Sequence, residues 1–99
     1  MTTDPHAALR DRALDRALRG PGESDSRLRQ AAAEGLGVPA EFQPLVDKIH
    51  RHACKVTDED VARVQAVLGD DRAFEVVVSA AMGASWQRLR AGLAALEDA

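Results

Sequence analysis

DRAFEVVVSAAMGASWQRLRAGLAAL, Asp71 to Leu96, is the stretch that decides the fold. Phe74, Val77, Val78, Ala81, Ser85, Leu89, Gly92, Leu93 and Leu96 recur at i, i+3 and i+4, the spacing that lines one face of a helix. Val76, Ala80, Met82, Ala84 and Trp86 leave the first half almost without a polar side, as expected of a helix surrounded by protein. The spacing therefore predicts one long, buried, central helix. Gly83, Ala84 and Ser85 are small enough to let a second helix approach it. Three β-branched residues in a row, Val76 to Val78, lower helix propensity. A strand there would lack both alternation and a partner, so the helix stands.

Upstream, the chain is punctuated by local signals. Thr57 followed by Asp58, Glu59 and Asp60 offers a hydroxyl cap, an acid in capping-box position and carboxylates against the positive end of the helix dipole. A helix is expected from there, with Val61, Val64, Val67 and Leu68 inward and Gly69 as its stop. Asp70 or Asp71 then caps the long helix. Leu45, Val46, Ile49, Ala53 and Val56 define another helix, with Asp47, Lys48 and Arg51 outward. Ser24, Asp25 or Ser26 caps a short helix that buries Leu28, Ala31 and Ala32 and ends at Gly35. Asp4 before Pro5 starts the first helix, an alanine and leucine stripe over Leu9 to Leu18 that Gly20, Pro21 and Gly22 close. These elements make an all-α small helical bundle, with residues 1–37 as an N-terminal helical extension and 38–99 as the core.

Composition narrows the classes. The chain has 99 residues, enough for one small domain of modest burial. Its 13 basic and 16 acidic groups are interspersed, with a net charge of -3, so no face is built for a polyanion and nucleic acid is not an expected partner. Aromatic residues are 3% of the chain, so the core must be made of Leu, Val and Ala. A single cysteine, Cys54, cannot form an internal disulfide and fits a reducing compartment. No apolar run approaches the roughly 20 residues a membrane span needs. A cytoplasmic protein without membrane contact is expected.

From about Phe42 onward, the run VDKIHRHACKVTDEDVARV, the Gly69 stop and the helix opening DDRAFE resemble the carboxymuconolactone decarboxylase and alkylhydroperoxidase D-like superfamily. The resemblance implies a helical core that forms symmetric homo-oligomers. Redox-active members carry C-x-x-C-x-x-x-H ahead of the glycine. Alignment on Gly69 puts Cys54, Thr57 and Val61 at those three positions, and only the cysteine matches. Threonine cannot close a disulfide and valine cannot relay a proton. The resemblance thus implies the fold without dithiol peroxidase chemistry, leaving binding or scaffolding, with no cofactor.

Two further roles are open to the residues. Resemblance to the decarboxylase or isomerase branch of that superfamily would make His50 or His52 the proton carrier of a cofactor-free enzyme, with Arg51 holding a substrate carboxylate. Cys54, near Lys55, His50 and Arg51, could act as a single antioxidant thiol. Against both stands the plainer expectation of a small core cysteine and partly exposed histidines. His50, His52 and Cys54 spell H-x-H-x-C, but only two of the three share a helical face, too few for zinc. Lys48, Arg51 and Lys55 form a basic stripe suited to a small anionic ligand or to solvent. Glu75, on the most buried helix, calls for an arginine partner such as Arg51, Arg63 or Arg88. Trp86 beside small residues marks a pocket or, more in keeping with so short a chain, an interface.

Overall fold

The computed structural model describes residues 5–98, with side chains from residue 11. Five α-helices follow in order: α1 (Pro5–Arg19), α2 (Ser26–Glu34), α3 (Gln43–Arg51), α4 (Asp58–Leu68) and α5 (Asp70–Asp98), with a 3-10 turn at Ala53–Lys55. No strand occurs among the described residues, so the fold is an all-α bundle with a long C-terminal helix. Asp4, the expected cap of α1, lies outside the described residues. Among the described residues no helix is long and apolar enough to cross a membrane.

The local signals hold where chemistry is local. Asp25 caps α2 by accepting from the Arg27 amide, and Gly35 closes it in the left-handed region at φ 85°, open to glycine without a Cβ clash. Thr57 and Asp60 form the full capping box of α4. Pro44 sits in the first turn of α3, where a missing amide costs nothing.

α5 is the spine. α2, α3 and α4 pack on it, and α1 lies against α2 with a looser contact to α5. The core joins Ala32, Val38, Phe42, Leu45, Val46, Ile49, Val64, Ala73, Val76 and Ala80. Ala32 of α2 belongs to this cluster, so the apolar core crosses the expected boundary at residues 37 and 38. Gly83 lies where α2 passes over α5: a Cβ there would overlap the Ala33 carbonyl.

Three expectations change. The face of α5 that meets the core is Ala73, Val76, Ser79, Ala80, Gly83 and Ala84, while Phe74 is 69% exposed, Leu93 45% and Leu96 74%. Of the expected inward face, Ala81, Ser85 and Gly92 are exposed as well, Val78 and Leu89 are half-buried, and Val77 packs against the core. On α4, Val67 is exposed and Asp60 takes a buried place beside Val64. α3 ends at Arg51 because His52 leaves helical geometry (φ -148°, ψ 63°), so Cys54 sits exposed on the turn instead of within a helix.

Candidate functional site

The candidate residues are distributed over four places. At the end of α3, His50 Nε2 lies 2.8 Å from the Ala32 carbonyl oxygen. A carbonyl can only accept, so this nitrogen carries a proton and donates it to the last turn of α2. Gln87 donates to the Ala33 and Glu34 carbonyls beside it, and Arg88 Nη2 donates to the His50 carbonyl at 2.8 Å. These bonds satisfy orphan carbonyls at a helix end. A shallow cleft of about 250 Å³ follows, where Glu34, Asp47, His50 and Arg51 meet.

His52 and Cys54 are exposed and do not line that cleft. With α3 ending at Arg51, His50 and Cys54 do not share a helical face, which removes the two-ligand arrangement drawn from their spacing. Among the described residues no three His, Cys, Asp or Glu side chains are grouped to hold a metal ion. The basic stripe is broken as well. Lys55 lies on the turn, and Lys48 Nζ is bound to Asp60 Oδ2 at 2.7 Å. Asp60 also accepts from the Thr57 amide. The Lys48 hydrogen bond leads, with the Thr57 bonds, in lowering its pKa from 3.8 to about 2 against the opposing effect of burial.

Glu75 has a partner of a different kind from the arginines expected. Its carboxylate accepts from the Glu23 amide at 2.8 Å, the Ser24 amide at 2.9 Å and the Ser24 hydroxyl at 3.1 Å. Burial raises its pKa, but the Ser24 and Glu23 bonds and the nearby Arg29 charge outweigh that and hold it below 4.5.

Arg29 itself was not among the expected functional residues. It is buried, with Nη1 donating to the Ala17 carbonyl at 2.7 Å and Nη2 to the Gly20 carbonyl at 2.6 Å, so it clasps the end of α1. Cations are favoured at a helix C-terminus. The signal was present: Arg29 stands three and four residues before Ala32 and Ala33, on their face.

Trp86 is half-buried in a groove of about 370 Å³ between α1 and α5, with Ala13, Leu14, Ala81, Met82 and Ser85. The walls are almost wholly apolar side chains. They can take up an apolar surface, with the Ser85 hydroxyl as the one polar side chain besides the Trp86 indole N–H. Comparison with family models, with curated proteins and with solved structures finds no match to this chain.

Proposed function

We infer that this chain is a self-associating helical protein of the binding or scaffold kind, without cysteine-pair redox chemistry, as its resemblance to the carboxymuconolactone decarboxylase and alkylhydroperoxidase D-like superfamily implies. The observation that carries this is the apolar face of α5 that the bundle leaves largely open, with α1 along one edge and Val78, Met82 and Leu89 half-buried in it. At about 100° per residue, Phe74, Val78, Ala81, Met82, Ser85, Leu89, Gly92 and Leu96 fall in one band opposite the buried Val76, Ala80 and Gly83.

The surface area supports the same reading. A compact monomer of 10.6 kDa exposes about 5,500 Å². This chain exposes 6889 Å², and the surplus of about 1,400 Å² exceeds the roughly 800 Å² each partner gives to a standard interface. Its Cα radius of gyration is 14.6 Å, against about 12.6 Å for a compact chain of this length. Contiguous exposed apolar surface of this kind marks an interaction site.

Sedimentation analysis between micromolar and hundred-micromolar concentration tests the assignment. A dimer or larger closed assembly is expected. A monomer across the whole range overturns it.

A further inference from the structure

The geometry points to an antiparallel pairing of α5 with α5 of a second copy, about a two-fold axis at the level of Ser79. It rests on the self-association proposed above and specifies its register. Within about 60° either side of Val78, the only charged residue between Phe74 and Leu96 is Glu75. Its carboxylate is already bound to Glu23 and Ser24. The band is therefore apolar in effect over more than five turns.

The flank of the band sets direction. Asp70 and Arg88 are both exposed and stand eighteen residues apart, which is five full turns of about 3.6 residues, so they project from the same side of α5. A two-fold axis perpendicular to the helix keeps that side facing the same side of the second copy. Placed midway, at residue 79, it sets Asp70 of each chain against Arg88 of the other. A parallel pair, with its axis along the helices, would carry this side of the two copies to opposite flanks of the interface and leave Asp70 and Arg88 without these partners. Charge arrangement of this sort selects register and orientation. The Arg88 bond to the His50 carbonyl uses one of five guanidinium donors, leaving others for a carboxylate.

Packing agrees with the same axis. Val78 meets its own copy, and Phe74 comes to the level of residue 84 on the other chain, over the small Ala81 and Ser85. These two residues also form the edge of the groove that holds Trp86. A projecting ring and a depression on one surface make a self-complementary patch, as a two-fold interface requires.

Single cysteines placed in a Cys54→Ser chain test the register under mild oxidation with diamide. Val78→Cys is expected to give covalent dimer in most chains. Leu89→Cys, ten residues from the axis level, would place its two copies about 30 Å apart and should stay uncrosslinked. In parallel, Asp70→Arg should weaken self-association at least about tenfold, and adding Arg88→Asp to the same chain should restore most of it. An assembly that crosslinks at Leu89→Cys but not at Val78→Cys overturns the register and leaves self-association standing, as does a charge swap without rescue. A monomeric unmodified chain overturns both.

Discussion

Oε2 of Glu75 accepts from the Ser24 amide at 2.9 Å, tying the middle of the bundle to the segment before α2 across 51 residues of chain. Together with the Glu23 amide and the Ser24 hydroxyl, it gives three donors at the start of α2 a common anionic acceptor.

Removal of that acceptor should therefore be felt. Glu75→Ala leaves the donors without a partner and is expected to cost about 1–2 kcal/mol. In a thermal melt at fixed protein concentration the Tm should fall by about 5–15 °C. An unchanged Tm would mean that water replaces the carboxylate without loss.

Acid should weaken the fold through Asp60. Its folded pKa, about 2, lies below the ordinary 3.8. The protonated form is thus favoured in the unfolded chain, and stability is full above about pH 4 and lost as pH falls toward 2. Glu75 acts in the same sense below 4.5. Urea melts between pH 5 and 2 should show this slope in the natural chain and a shallower one in Asp60→Asn.

The crossing of α2 over α5 tolerates no side chain at Gly83. Gly83→Ala is expected to destabilise by about 2 kcal/mol or more, because its methyl group would meet the backbone of Ala33. Gly92 has open space around it, and Gly92→Ala on the same helix should be stabilising by a few tenths of a kcal/mol or more in a monomeric reference state. The pair of melts separates packing from helix propensity.

Cys54 is exposed on the 3-10 turn. A disulfide reagent should titrate it fully in the folded protein, and Cys54→Ser should alter stability by less than about 0.5 kcal/mol. Peroxide consumption beyond that of a simple thiol is not expected. A thiol that reacts only on unfolding would contradict the placement of the turn.

The contrast between what the sequence told and what it withheld has a physical basis. Thr57 with Asp60, Asp25 and Gly35 were legible because a cap needs only residues within a turn of one another. The inward face of α5 was not, since valine, alanine and glycine occur on both sides of that helix and periodicity cannot choose between two apolar faces. The partners of Glu75 lie 51 and 52 residues away, beyond any local pattern. The end of α3 carries no Gly or Pro, so the chain gave no warning that His52 would break the helix and carry Cys54 out to solvent.

Trp86 is the only indole in the chain, and there is no tyrosine. Ultraviolet emission therefore arises from a single spot, the groove between α1 and α5. Anything that fills or opens that groove will shift the colour and yield of one fluorophore, which makes the unlabelled protein an optical gauge of its own occupancy.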